Sequence, residues 1–506
     1  MKEKLVDQFD LLVVGGGING AGIARDAAGR GLSVCLCERD DLAAHTSSAS
    51  TKLIHGGLRY LEQFEFALVG KALAEREILL KIAPHIIWPL RFVLPHQPHL
   101  RPAWMIRLGL FLYDHLDRGR RTLPGSRRIA LDQNVVGRPL RKEFRQGFVY
   151  SDAWVQDARL VVLNAMDAHE KGATILPRTR CVGARRDAAN WTVELASAAG
   201  EHTTVSAKAL VNATGPWAVQ FLDDVAGIPH KHALRLVKGS HIVVPRLFDH
   251  DYAYIFQQPD RRIVFAIPYE DAFTLVGTTD VDYHDDPGAP RISADETAYL
   301  CDAINRYFNR TISPADVIWS YSGVRPLFDD EQDNAAEVTR DYQLELDQRG
   351  APLLNVFGGK LTTYRKLAEQ AMEQLAPLLP TSSRAWTAKG HPLPGGERAD
   401  LEAVQRELQS QRPWLPASLA ARLVRSYGTR SERILGKAGS LEDLGEHFGA
   451  DLYEAEVSYL RNNEWAVDAQ DVLWRRSKLG LHIGEAGARR LSAYLAEAPP
   501  EPPAPA

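Results

Sequence analysis

Four consecutive apolar residues, Leu11 to Val14, run into a cluster of glycines, and a second apolar stretch, Ser33 to Cys37, follows one helix length later. That pattern predicts a strand, a tight turn, a helix and a second strand over residues 11–38. Two later runs end in the same way. An apolar strand over 210–214 closes in Ala213-Thr214-Gly215-Pro216-Trp217, and Val356-Phe357 leads through Gly358-Gly359 into Lys360-Leu361-Thr362-Thr363 and a predicted helix. Between them, residues 240–280 read SHIVVPR, YAYIFQQ, RRIVFAIPY and TLVGTTD, short stretches rich in β-branched and aromatic residues with a Pro-Asp turn at 259–260. They predict an antiparallel sheet. Beyond HPLPGGE at 391–397 the period changes: ADLEAVQREL, LAARLVRSY and YEAEVSYLRNNEWAV carry apolar residues at spacings of three and four. This predicts a helical C-terminal cap, and the PPEPPAPA tail predicts disorder.

The first turn carries chemistry. Gly15, Gly17 and Gly20 stand in G-x-G-x-x-G spacing directly after the strand, where bare backbone lets a pyrophosphate reach the N-terminus of the next helix. Gly22 adds room for helix-on-strand packing. Glu38 ends the second strand, where a carboxylate accepts both ribose hydroxyls, so NAD or FAD is favoured over NADP. Thr46-Ser47-Ser48-Ala49-Ser50, followed by the Gly56-Gly57 pair, can supply donors to a second phosphate and a ring system. No second G-x-G-x-x-G follows a strand, so no separate nicotinamide module is read. One tightly held cofactor, reduced by substrate and reoxidised by something else, points to flavin.

Composition widens the frame only a little. A chain of 506 residues, 45% hydrophobic and 25% charged, buries a large core and divides into two or three domains. Its four cysteines lack C-x-x-C spacing, and Cys35 and Cys37 share one strand face, which suits small buried hydrophobes rather than a disulfide or metal ligands. No metal site and no nucleic-acid partner are read. The start, MKEKLVDQFD, lacks the apolar core of a signal peptide, and no run approaches the roughly 18 apolar residues of a membrane span. A cytoplasmic protein is expected.

One region is polarised. Residues 101–117 carry Trp104, Met105, Ile106, Leu108, Leu110, Phe111, Leu112 and Tyr113, too short a stretch to span a bilayer but suited to lie in its interface. Residues 118–145 hold nine Lys or Arg against two acids, whereas the whole chain is at −4. An apolar helix beside a basic stretch suits an anionic lipid surface. The same residues could instead serve the core or a homodimer contact.

The sequence also resembles a family, the FAD-dependent, membrane-associated glycerol-3-phosphate dehydrogenases of aerobic bacteria. The resemblance spans nearly the whole chain and rests on GGGINGAGIA at 15–24, TSSAS at 46–50, KLIHGGLRYL at 52–61, RPAWMIRLGLF at 101–111, VNATGPW at 211–217, KGSHIVVPR at 238–246, VGTTD at 276–280, YSGVRPL at 321–327 and FGGKLTTYRKLAE at 357–369. The first block and the ATG block are common to many flavoproteins of the D-amino-acid oxidase type, whereas LIHGGLRYL, YSGVRPL and GGKLTTYRK are more specific. The resemblance implies an α/β (α+β) fold: a Rossmann-like FAD-binding domain of the D-amino-acid oxidase type, an antiparallel-sheet substrate domain and an all-helical C-terminal cap. The expected division is 1–390 and 391–506, with the flavin part at about 1–85, 150–235 and 345–390 and the substrate- and membrane-facing part at about 86–149 and 236–344. It implies FAD held by Gly15, Gly17, Asn19, Gly20, Glu38, Ser47, Ser48, Lys52, Gly56, Gly57, Thr214, Gly215, Gly358, Gly359, Lys360, Leu361 and Thr362.

The implied reaction is oxidation of sn-glycerol 3-phosphate to dihydroxyacetone phosphate, electrons passing to a membrane quinone from an enzyme seated on the inner face of the cytoplasmic membrane through about 101–145. A phosphorylated substrate calls for cations in fixed geometry, and Arg59, Arg325 and Arg340 are the candidates, with Tyr60 and His55 beside them. Lys360 suits the flavin N1 and O2 locus or the substrate hydroxyl, and His241 is the first candidate for the base, His55 the second. Two alternatives stand: an oxidase that returns electrons to oxygen, and a flavoprotein scaffold that binds a partner through its cap.

Overall fold

The computed structural model describes residues 8–97, 102–116, 122–231, 233–260, 262–328, 341–381 and 385–497, without the side chains of residues 59, 62 and 63. Arg340, the side chain of Arg59, residues 118–121 of the basic stretch and the PPEPPAPA tail therefore lie outside the described residues.

Two sheets organise everything before the cap. The first has the strand path Gln343–Asp347, Leu353–Phe357, His202–Asn212, Gln8–Val14, Val34–Cys37, Thr174–Leu176. Its central pairs are parallel, and strands such as Leu11 to Val14 are buried on both faces, which explains their unbroken apolar runs. The helices Ile18–Gly29, Asp157–His169 and Tyr364–Leu375 pack together against this sheet. Gly22 permits the contact: a Cβ there would lie 2.8 Å from the Tyr364 ring.

The second sheet has ten strands. The four stretches expected between 240 and 280 form the strands Leu234–Pro245, Ala253–Gln257, Ile263–Tyr269 and Phe273–Gly277, paired antiparallel. The sheet is larger than expected and not wholly antiparallel. Ala253–Gln257 pairs parallel with Ile87–Pro95, and Gln146–Val155, which straddles the boundary expected at about 150, and Leu53–Ile54, expected in the flavin part, also join it.

The C-terminal region has its own apolar core, built from the helices Leu401–Gln411, Ala417–Tyr427, Glu454–Glu464 and Gly484–Glu497. It is helical apart from one hairpin, His447–Gly449 with Leu452–Tyr453, too short for a period to reveal. Buried ion pairs stitch it to the rest: Arg476 grips Asp41 with both terminal nitrogens (2.6 and 2.8 Å), Arg475 reaches the same carboxylate (2.5 Å), and Arg159 pairs with Glu464. Asp41 lies only three residues beyond Glu38.

Candidate functional site

The principal cleft opens at the carboxyl ends of the parallel strands, where ligands bind in sheets of this kind. Its volume is about 1160 Å3 with the open mouth included, and it is lined by Gly15, Gly17, Asn19, Glu38, Ser47, Thr214, Gly215, Gly358 and Gly359 among others. These nine, drawn from four separate stretches of sequence, are brought together by the parallel pairing of Gln8–Val14, Val34–Cys37, His202–Asn212 and Leu353–Phe357.

Glycine is obligatory in the first turn. Gly15 has φ +111°, and a Cβ on it would stand 2.4 Å from the Ala213 carbonyl oxygen. Gly20 does not line the cleft but lets the turn close, since its Cβ would stand 1.9 Å from Gly15 O. The helix Ile18–Gly29 starts without a side-chain cap, so its N-terminus faces the cleft with N–H groups ready for an anion. Ser47 Oγ accepts from Ile18 N (3.0 Å) and ties the hydroxyl loop to that terminus.

Glu38 accepts from Gly16 N (2.6 Å) and from Asp40 N (2.9 Å). Burial pushes its carboxyl above the ordinary range, against the pull of those N–H groups. The Trp217 ring carries the Arg39 guanidinium at 3.9 Å and meets the His45 ring edge-on, centroids 4.8 Å apart, so that an aromatic and cationic group lines the cleft. Asn19 Nδ2 donates to Gly358 O (3.0 Å), while its buried Oδ1 has no partner. An acid for ribose hydroxyls, a helix N-terminus for pyrophosphate, an unpaired amide oxygen and open space beside Gly215 fit a flavin dinucleotide.

A second cluster hangs from the covering sheet. Residues 237, 239 and 241 alternate onto one face of Leu234–Pro245, and they pair with Arg325, Gly323 and Tyr321 on Trp319–Phe328. This face looks toward the hydroxyl loop: Tyr321 Oη donates to Ser50 O (2.8 Å), and a Cβ on Gly323 would touch Ala49 at 2.8 Å. His241 is buried, stacked on Tyr321 at 4.7 Å, with Nε2 2.9 Å from Thr51 Oγ1 and no partner for Nδ1. Burial, with Arg325 and Lys52 nearby, holds its pKa well below the usual value, so the ring is neutral. Arg325 is half-buried, oriented by Asp280 (2.5 Å) and Thr278 Oγ1 (3.0 Å).

The remaining sites form a third group. Lys360 Nζ lies 4.3 Å above the Tyr60 ring, and His55 N donates to Thr362 Oγ1 (3.4 Å), so the loop 55–60 and the turn 358–363 meet. Leu361 opens the short helix Leu361–Thr363, and Gly57, at φ +76°, starts the short helix Leu58–Gln63. Three of the expected cofactor contacts lie elsewhere. Lys52 is buried in an ion pair with Asp157 (2.8 Å), Ser48 donates to His45 O and lines a neighbouring cleft against the cap, and Gly56 is packed between Leu73 and Tyr113. Thr51, Tyr321, Asp280 and Trp217 all stand within or beside the quoted blocks and were not singled out. Thr51 and Tyr321 hold His241, Asp280 holds Arg325 and Trp217 stacks with Arg39, partners that come together only in the fold.

Strand order, glycine turn and donor set together define an FAD-dependent oxidoreductase, and FAD is its cofactor. Residues 10–365 match the FAD dependent oxidoreductase family, and 386–498 match the C-terminal domain of alpha-glycerophosphate oxidase. Glycerol-3-phosphate dehydrogenase of Pseudomonas aeruginosa is 55% identical over 502 residues, covering 99% of this chain and 97% of that one. D-erythritol 1-phosphate dehydrogenase of Brucella abortus is 53% identical over 483 residues, 94% and 95% of the two chains. The solved glycerol-3-phosphate dehydrogenase of Bacillus halodurans, complexed with FAD, matches at a TM-score of 0.76 and 28% identity over 98% of this chain and 92% of that one. The chain belongs to the FAD-dependent glycerol-3-phosphate dehydrogenase family.

Proposed function

We propose that this protein oxidises sn-glycerol 3-phosphate to dihydroxyacetone phosphate and delivers the electrons to a membrane quinone, working on the inner face of the cytoplasmic membrane. The observation that carries the reading is the pairing of a neutral buried His241 with a fixed Arg325 on one face of the covering sheet, turned to the loop that runs from the FAD cleft. Bound FAD supplies the hydride acceptor.

Arg325 presents a cation whose direction is set by Asp280 and Thr278, which suits a phosphate; Arg59 and Arg340 are its proposed companions. Lys360, over the Tyr60 ring, would supply positive charge to the substrate oxygen or to the flavin pyrimidine edge as either becomes negative. In the tautomer that donates Nε2–H to Thr51 Oγ1, His241 keeps an Nδ1 lone pair for the hydroxyl proton. A cluster of this charge with no anionic ligand would be costly to maintain, which disfavours the scaffold alternative.

Support for the membrane comes from the helix Ala103–His115. Its outer face exposes Trp104 (66%), Met105, Leu108 and Phe111, while Ile106, Leu110 and Tyr113 point inward. Phe64 (78% exposed) and Phe66 stand on the neighbouring turn, and Arg127, Arg128, Arg138, Arg141, Lys142 and Arg145 are exposed. No helix among the described residues is long and apolar enough to cross a membrane.

The test is anaerobic. Glycerol 3-phosphate should bleach the flavin absorbance of the purified protein, and a short-chain quinone should restore it. Bleaching by D-erythritol 1-phosphate alone would move the substrate to the longer polyol phosphate of the Brucella relative. Stoichiometric peroxide on admitting air, with no response to quinone, would make it an oxidase.

A further inference from the structure

The Gly56 N–H is a buried donor in the loop that carries His55, Arg59 and Tyr60. It donates to Tyr113 Oη at 2.7 Å. There is no slack at this contact: a Cβ on Gly56 would lie 2.7 Å from Leu73 and 2.8 Å from Tyr113 Oη. Tyr113 is on the inner face of Ala103–His115, 3% exposed.

What fixes the tyrosine is equally buried. Its hydroxyl lies 2.7 and 2.9 Å from the two oxygens of Asp152 on Gln146–Val155, and Arg76 on Phe66–Ile82 donates to Asp152 Oδ1 at 3.0 Å. A carboxylate can only accept, so the Tyr113 proton is committed to Asp152 and a lone pair is left aimed at Gly56 N–H. In so dry a place a chain of this sort strengthens each of its members. Four elements meet in it, and none of Tyr113, Asp152 or Arg76 lines the FAD cleft.

We infer that Tyr113 is a positioning residue for the substrate loop: its hydroxyl, oriented by Asp152 and Arg76, anchors Gly56 and so sets the backbone that carries Arg59 and the place of Tyr60 against Lys360. This rests on the reading of Arg59 and Tyr60 as substrate ligands given above. Downstream of the anchor, Gly57 turns at φ +76° directly into the short helix that bears both residues, so a shift at Gly56 is passed on without a flexible linker. Upstream, His55 N is tied to Thr362 Oγ1, so the loop is pinned on two sides.

Tyr113→Phe keeps the ring and removes the hydroxyl that accepts from Gly56, leaving that N–H only the neighbouring Asp152 carboxylate. In the FAD-loaded protein without substrate, amide exchange over residues 55–60 should quicken about tenfold, the worth of one net hydrogen bond. The kcat/KM for glycerol 3-phosphate should fall about tenfold, chiefly through KM, because the displaced groups bind substrate rather than react. Tyr150→Phe is the control: it removes a buried hydroxyl from the same apolar cluster, 5.9 Å ring to ring from Tyr113, and should change neither reading. Unchanged exchange and KM in Tyr113→Phe, or equal changes in Tyr150→Phe, would overturn the proposal. The exchange measurement needs no substrate, so it still decides the matter if glycerol 3-phosphate fails to bleach the flavin and the functional reading falls.

Discussion

Gly15 has no alternative residue. Alanine there would need both a backbone angle that L-residues rarely adopt and space already filled by Ala213 O, so Gly15→Ala should be isolated without flavin, as its absorbance near the flavin maximum would report. The buried histidines set the response to acid. Burial, aided by Arg159, lowers the pKa of His85 to about 3, and His241 is likewise depressed. An unfolded histidine takes its proton near pH 6.5, whereas these two stay neutral when folded, so stability is unaffected above that pH and declines as pH falls below it. Each contributes about 1.4 kcal/mol of loss per pH unit until its folded pKa is reached. His85→Gln should therefore flatten the fall of Tm between pH 6.5 and 5. At this scale the sequence was legible where geometry forbids other residues, as at Gly15 and Gly359. It was less so where a side chain's partner comes from far away. Nothing near Lys52 announces Asp157, 105 residues on, which takes its charge inside the protein.

At the scale of elements, the apolar runs marked the central strands of the first sheet and the β-branched stretches marked four strands of the second, since nearly all of these are buried on both faces for most of their length. Pairing is another matter. That Ala253–Gln257 lies parallel to Ile87–Pro95 depends on chain separated by more than a hundred residues, and no local period encodes it. The helix Ala103–His115 is the element whose pattern was ambiguous: Ile106, Leu110 and Tyr113 enter the core, while Trp104, Leu108 and Phe111 are exposed. Replacing Trp104 and Leu108 together by serine should lower binding to anionic vesicles, by sedimentation, at least tenfold, since roughly 1.5–3 kcal/mol attaches to burying each large apolar side chain. Detergent-solubilised activity should stay at the parental level. Equal vesicle binding by the double variant would assign this face to another contact.

Over the whole molecule, the resemblance carried by nine short blocks identified the family and its cofactor, while the way the cap is fastened was not readable, because Asp41 and Arg476 stand 435 residues apart in the chain. Arg476 is among the largest fully buried side chains, and its partner Asp41 sits in the segment between Glu38 and the hydroxyl loop. Removing one member of such a pair strands a buried charge and typically costs about 3–5 kcal/mol. Arg476→Ala should thus weaken FAD retention although the residue lies outside the cofactor cleft, a loss measurable as flavin released on dilution. The same fastening means that the cap does not melt as a separate unit. Calorimetry should show a single endotherm for both halves, shifted downward as one when the flavin is stripped; in a cell, a molecule awaiting its cofactor would offer proteases its C-terminal helices as readily as its empty cleft, so that supply of the vitamin precursor would govern the lifetime of the entire polypeptide.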